Sequence, residues 1–334
     1  MISKEFELKC SVILTVYTRR EFVEEALISL ENQDINKDLF EVLIISNIDI
    51  KLSRKYNLNI IIVTSDKTTL AGKLCQGILL ARNEIVTFLE DDDLYFNNRI
   101  STILELFESN STLTYYHNNS FHFRRQVSTR KNNKVNSHLS KHKIIRIPEV
   151  RNADINRSNE VNIFKYKADY NLSSIALRRD FIQNYLDILK KLETRYIDSF
   201  IFAVSLYKGN STFIDLKALS LVRINSVNAS QFVNNNTVLS KNFKYSMDME
   251  NTIEAFQHLK IIDKKFVQDF IIFRGYDDLM KSYSLTRLGS IIYLIKLLKT
   301  YGIYFLISDV AKKGMIYSIS PKLMHYILTE FHSA

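Results

Sequence analysis

The sequence holds only 2 prolines and 7 glycines among 334 residues. So few turn formers argue against linkers, turn-built repeats and long low-complexity segments. Cysteine is scarcer than glycine: Cys10 and Cys75 stand in no metal or redox spacing. They read as small apolar packing residues in a reducing compartment. No uninterrupted apolar stretch of the secretory-signal kind occurs in residues 1–9, where charged and apolar groups alternate.

What is present is ordinary for a folded protein, with 46% hydrophobic and 24% charged residues. The length suits one large domain, or a domain with a substantial extension. A net charge of +9 points to anionic partners. Nucleic acid, a phosphorylated substrate and an acidic membrane surface all fit, and charge alone does not choose among them.

Hydrophobic periodicity gives the organisation. Cys10–Val16, Glu41–Ser46, Asn59–Thr64 and Ile85–Leu89 are short apolar runs that predict buried strands. Between them, Arg20–Gln33 and Leu70–Ala81 carry apolar residues at helical spacing, and Asn97–Phe107 predicts a further helix. Strand, helix, strand, strand, helix, strand implies right-handed crossovers and a mainly parallel sheet. Residues 117–160 gather ten arginines and lysines against few acids, and read as a basic mobile loop. Asn171–Leu177 returns to strand-like pattern. Helices are expected over Phe181–Leu192 and Asp198–Tyr207, strand-like runs over Ser211–Arg223, and helix from about Asn242 to the end.

The strand at Ile85–Leu89 runs into four acids, Glu90-Asp91-Asp92-Asp93. Unpaired buried charge is costly, so these carboxylates are expected at the strand's carboxyl end, facing water or a cation. In open α/β sheets that edge is where ligands bind. Clustered carboxylates there suit Mg²⁺ or Mn²⁺ that also touches phosphate oxygens. A solvated acidic turn is the alternative.

Leu288–Ile307 has the length and apolarity of a membrane span. Lys296 and Lys299 lie near its middle, at roughly 2.5–3.5 kcal/mol each for insertion. Leu288, Ile291, Ile292, Ile295 and Leu298 form a stripe that leaves the lysines aside. An amphipathic helix is therefore expected, packed on its own protein or lying in a bilayer interface. Lys312, Lys313 and Lys322 and several tyrosines suit a headgroup layer.

Taken in order, these pieces resemble the family 2 glycosyltransferases with a GT-A fold. Ser11–Arg19 (SVILTVYTR) is similar to that family's opening SVIIPTYNR, and Glu24–Gln33 to the helix ending in S-x-x-x-Q. Glu41–Asp49 matches the second strand and Gly72–Gly77 the donor-side helix. Phe88–Asp93 (FLEDDD) is similar to FLDSDD, the metal-binding DXD signature. Ser173-Ser174 with Arg178-Arg179, Ile197-Asp198, and Leu221–Ser230 (LVRINSVNAS) follow in family order.

The resemblance implies an α/β, Rossmann-like GT-A catalytic domain over 1–235, a mainly parallel sheet flanked by helices, and a helical C-terminal region over 236–334. It implies a nucleoside-diphosphate-sugar donor and a divalent metal, Mn²⁺ or Mg²⁺. By resemblance Asp92 ligates the metal with Glu90, and Glu90 and Asp91 lie near the ribose or metal-bound water. Thr15, Tyr17, Arg19, Ser46, Asn47 and Lys73 line the nucleotide pocket. Asp198 is the general base of an inverting displacement, and an ordinary helix N-cap is its structural alternative. Asp93 could instead cap the next helix. The basic loop and the basic amphipathic C-terminus suggest an anionic acceptor near a membrane, a glycan or lipid-linked group, with the protein cytoplasmic, either free or peripheral on the cytoplasmic membrane face.

Five residues depart from the family pattern. Ser46 and Asn47 stand where it reads the base with Asp, Cys75 replaces a loop Asn, Ile197 a Glu, and Asn225 a late His. The donor base therefore stays open between uridine and guanosine. Three other classes compete. A nucleotidyltransferase would need a Gly-rich phosphate loop, and Thr15–Arg20 has no glycine. A nucleic-acid binder would use the basic loop with Phe121 and Phe123, but leaves the acids without purpose. A retired transferase fold is the third. His117/His122 and His138/His142 lack the companion ligands of a zinc site.

Overall fold

The computed structural model describes residues 6–17, 19–123, 153–154, 168–223, 248, 251–261, 266–267, 270 and 295. Four strands form the parallel half of the sheet: β1 (Cys10–Val16), β2 (Phe40–Ser46), β3 (Asn59–Thr64) and β4 (Ile85–Glu90). Helices α1 (Arg20–Glu31) and α2 (Leu70–Leu80) are crossovers between them. β1, β2 and β4 are rich in apolar residues and buried along nearly their whole length, as parallel strands covered on both faces require. β3 lies at the sheet edge and is partly exposed.

The remaining elements are β5 (Leu94–Tyr95), α3 (Arg99–Ser109), β6 (Leu113–Phe123), β7 (Ala153–Asp154), β8 (Ile175–Arg178), α4 (Arg179–Gln183), α5 (Leu186–Leu189), α6 (Ile197–Lys208) and β9 (Ser211–Arg223). The strand order is β3-β2-β1-β4-β8-β6-β9-β5, with β7 beside β9. β8 runs antiparallel to β4 and β6, whereas β6 and β9 are parallel to each other.

Packing between α2 and the sheet is close. A Cβ on Gly77 would sit 2.5 Å from Ile13 Cγ2, which restricts that helix position to glycine unless Ile13 moves. Cys10 and Cys75 are free and buried, and burial pushes both thiols up to about 12, so they behave as small apolar groups.

Two expectations change. Residues 117–123 are the second half of β6, not the start of a basic loop. Their polar content hid the strand: Asn118 is buried because its Oδ1 accepts from Arg99 Nε at 2.9 Å and its Nδ2 donates to Ser220 Oγ at 2.9 Å. The helix expected over Phe181–Leu192 is two short ones. Asn184 ends the first by donating its side-chain amide to the carbonyls of Asp180 and Phe181, competing with helix propagation. Apart from 153–154, the basic segment 124–160 lies outside the described residues, as do His138 and His142.

The chain divides into two compact units, Met1–Ala229 and Ser230–Ala334. In the second, residues 251–258 are helical, and Phe256 meets Phe266 and Phe270 edge-on at 5.6 and 5.3 Å. Among the described residues no helix is long and apolar enough to cross a membrane. The stripe over Leu288–Ile307, except Ile295, and Lys312, Lys313 and Lys322 lie outside those residues.

Candidate active site

The carboxyl ends of β1, β2 and β4 lie side by side, because the parallel register pairs Thr15 with Glu90 and Val16 with Ser46. Chain leaving β4 turns at once: Asp93 N–H donates to Glu90 carbonyl at 3.1 Å. Four consecutive acids are thereby held at the sheet edge where β1 feeds into α1.

The aspartates are not solvated. Asp91, Asp92 and Asp93 are 1%, 6% and 2% exposed, and each is matched to specific donors. Arg19, the residue at the start of α1, bridges the first two. Its NH2 lies 2.7 Å from Asp91 Oδ1 and its NH1 2.6 Å from Asp92 Oδ2. Tyr17 N–H donates to Asp91 Oδ2 at 3.3 Å. Asp93 accepts from Ser173 Oγ at 2.7 Å, from Asn171 Nδ2 at 3.3 Å and from Arg223 N–H at 3.0 Å. It caps no helix; Asn98 precedes α3. Of the two surroundings expected, water or a cation, Asp91 and Asp92 meet a cation, the Arg19 guanidinium, inside the protein.

Asp198 joins the group from the first turn of α6. It accepts from Asn171 N–H at 3.0 Å and from Ser199 N–H at 2.9 Å, while the N-cap position belongs to Tyr196. Asn171 thus contacts both Asp93 and Asp198. It does so from a left-handed φ of 74°, unusual for a residue other than glycine.

Crowded acids in a dry site are hard to ionise together. Burial first, then Asp93, Asp92, Asp198 and Asp91, holds the Glu90 carboxyl well above the usual range. Asp93 is pushed up to about 7 by burial and by Asp92, against its three hydrogen bonds. Asp91 rises to about 6 through burial, with Arg19 opposing the shift.

The other residues expected here are placed as follows. Thr15 is buried at the end of β1. Ser46 Oγ donates to Ile48 carbonyl, and Asn47 Nδ2 donates to the carbonyls of Ser65 and Lys67, so both shape the loop after β2. Lys73 is buried; its Nζ donates to Val16 carbonyl at 2.6 Å and lies 3.3 Å from the Tyr17 ring centroid. Burial lowers its amine to about 8, against the pull of Asp91. Lys73 is thus committed to the end of β1. His117 Nε2 lies 2.8 Å from Tyr170 carbonyl, and the His122 ring lies beside the Tyr170 ring.

Asn171, Ser173, Arg223 and Glu25 complete the site; Ser173, Arg223 and Glu25 lie in segments that follow the family order, whereas Asn171 carries no site signal in the sequence. Arg223 Nε donates to Asp92 carbonyl at 2.9 Å, and its guanidinium lies between the Phe22 and Phe123 rings. A left-handed asparagine has no sequence signature beyond the residue type.

A divalent ion is the group the resemblance implies. The bridging guanidinium is an internal stand-in for it and shows that the facing oxygens of Asp91 and Asp92 fit a cation. Among the described residues no three His, Cys, Asp or Glu side chains form a ready-made ion cage. An ion here would need further oxygens from a diphosphate and water, as Mg²⁺-like ions commonly do.

The fold and this edge define an α/β domain with clustered carboxylates at the carboxyl ends of its parallel strands. The model of glycosyl transferase family 2 matches residues 11–186, just over half the chain. The chain belongs to that family; it is a glycosyltransferase with the GT-A fold. No sequence among curated proteins matches it. Among solved structures it is similar to residues 1–349 of S. aureus TarS in complex with UDP-GlcNAc, at 12% identity and TM-score 0.52, covering 93% of this chain and 91% of that one. The same protein in complex with UDP aligns at 13% identity and TM-score 0.50, with the same coverage.

Proposed function

We propose that this chain transfers a sugar from a nucleoside-diphosphate sugar to a hydroxyl of a glycan or lipid-linked acceptor, with inversion at the anomeric carbon. The observation that carries the reading is the meeting of Asp198 with the Glu90–Asp93 turn at the carboxyl edge of the parallel strands. The family match over residues 11–186, together with a fold like that of TarS in complex with UDP-GlcNAc, supports a nucleotide-sugar donor.

In this reading Thr15, Tyr17, Ser46 and Asn47 border the nucleotide, and Asp92, with Asp91 and Glu90, holds a divalent ion. Bound there, Mn²⁺ or Mg²⁺ would neutralise charge developing on the departing diphosphate. Asp198 takes the proton from the acceptor hydroxyl, oriented by the Asn171 and Ser199 N–H groups. A base on one side and a diphosphate on the other favour a single in-line displacement. The net charge of +9 and the basic composition of 124–160 suit an anionic acceptor at the cytoplasmic membrane face.

The test is turnover of UDP- and GDP-sugars, followed as released nucleoside diphosphate. Asp198→Asn should lower turnover roughly 10²–10⁴-fold while leaving donor affinity within a factor of about 2. Equal turnover by the variant would remove Asp198 from the chemistry.

A further inference from the structure

Arg19 forms side-chain ion pairs with both Asp91 and Asp92, and it does so with two different guanidinium nitrogens. The two carboxylates are nearly inaccessible, whereas the Arg19 side chain is 27% exposed. The acids are fixed by their turn; the arginine reaches them from the solvent side at the head of α1. A guanidinium and a divalent ion compete for these oxygens, because two cations held at such short range repel each other.

We infer that Arg19 is a displaceable counter-cation that keeps free metal out of the Asp91/Asp92 pair, so that the ion is admitted only together with a diphosphate. This rests on the proposed nucleotide-sugar reading. A free divalent ion that takes these oxygens from Arg19 leaves one positive charge beside another. A diphosphate changes the balance. Its oxygens match the planar fork of arginine, so Arg19 can exchange two carboxylates for phosphate while the ion takes the vacated oxygens. Nucleotide and metal therefore bind with positive coupling, each weakly alone. Arg19 acts here as a positioning residue whose contribution is read in metal affinity.

The experiment is titration of Mn²⁺ alone, without nucleotide, into wild type, Arg19→Ala and Arg19→Lys, with bound ion followed by electron paramagnetic resonance. Arg19→Ala should bind Mn²⁺ at least roughly tenfold more tightly than wild type, and the gain should vanish in Arg19→Ala/Asp92→Asn. Arg19→Lys, which keeps the charge but loses the fork, should fall between them and serves if the alanine variant fails to fold. Equal or weaker Mn²⁺ binding by both variants overturns the inference. Titrating UDP and GDP with Mn²⁺ into wild type separates the two readings. Failure of both nucleotides would sink the donor assignment whatever the metal result, whereas nucleotide binding with unchanged free-metal affinity would sink only the role of Arg19.

Discussion

Arg223, at the end of β9, places its NH2 2.7 Å from Glu25 Oε2 on α1, joining residues 198 positions apart. The same guanidinium donates to Asp92 carbonyl and lies 4.4 Å from the Phe22 ring centroid and 4.6 Å from that of Phe123. The Arg223 side chain is fully inaccessible, while Glu25 is 28% exposed. Burial lowers the Arg223 guanidinium, with Asp92 and Asp93 holding it up. The acid turn is thus tied to α1 and β9 by one buried cation.

Arg223→Met removes the ties and leaves the ring-lined space filled. Breaking a buried pair is costly, but Glu25 can rehydrate, so a loss of roughly 2–4 kcal/mol is expected. Glu25→Gln should cost about 1 kcal/mol or less, since its partner keeps the Asp92 carbonyl. Urea midpoints of the two variants check the order; equal losses would contradict it.

Asn171 offers a test of backbone strain. Asn171→Gly and Asn171→Ala both lose the amide bond to Asp93, and both keep the N–H that serves Asp198. They differ in tolerance of φ 74°. Glycine should therefore be more stable than alanine by about 1–2 kcal/mol in chemical denaturation. Alanine equal to glycine would mean the local backbone relaxes freely.

Lys73 gives the molecule an alkaline signature. Its amine is lowered to about 8 in the folded chain, mainly by burial, against 10.5 ordinarily. Between these values the unfolded chain binds more protons, so stability from this group rises with pH from about 8 to 10.5 and is lost as pH falls through 8. Comparing wild type with Lys73→Met by urea denaturation at several alkaline pH values isolates that slope. The difference should change by on the order of 1–3 kcal/mol in favour of wild type as pH rises. A flat difference would show that Lys73 titrates normally.

Much of this architecture is legible in the amino-acid order. The runs at Cys10–Val16, Asn59–Thr64 and Ile85–Leu89 are apolar enough that a strand is the only economical reading, and their crossovers follow. The family resemblance likewise marks the Glu90–Asp93 turn. What periodicity misses is burial of polar groups by long-range partners. Asn118 conceals a strand because Arg99 and Ser220 satisfy it, and Asp92 is buried because Arg19, 73 positions away, meets it. Asn171 reads as part of a strand, yet its left-handed conformation is what brings Asp93 and Asp198 onto one residue. Such pairings depend on tertiary closure and leave no local pattern.

The most direct test of the central claim is calorimetric titration of UDP and of GDP, each with Mn²⁺ and with EDTA, into wild type and Asp92→Ala. The account predicts that one nucleotide binds wild type with Mn²⁺, loses that binding in EDTA, and fails to bind the variant. Absence of binding by both nucleotides to the folded protein, or binding indifferent to EDTA and to Asp92, would contradict it.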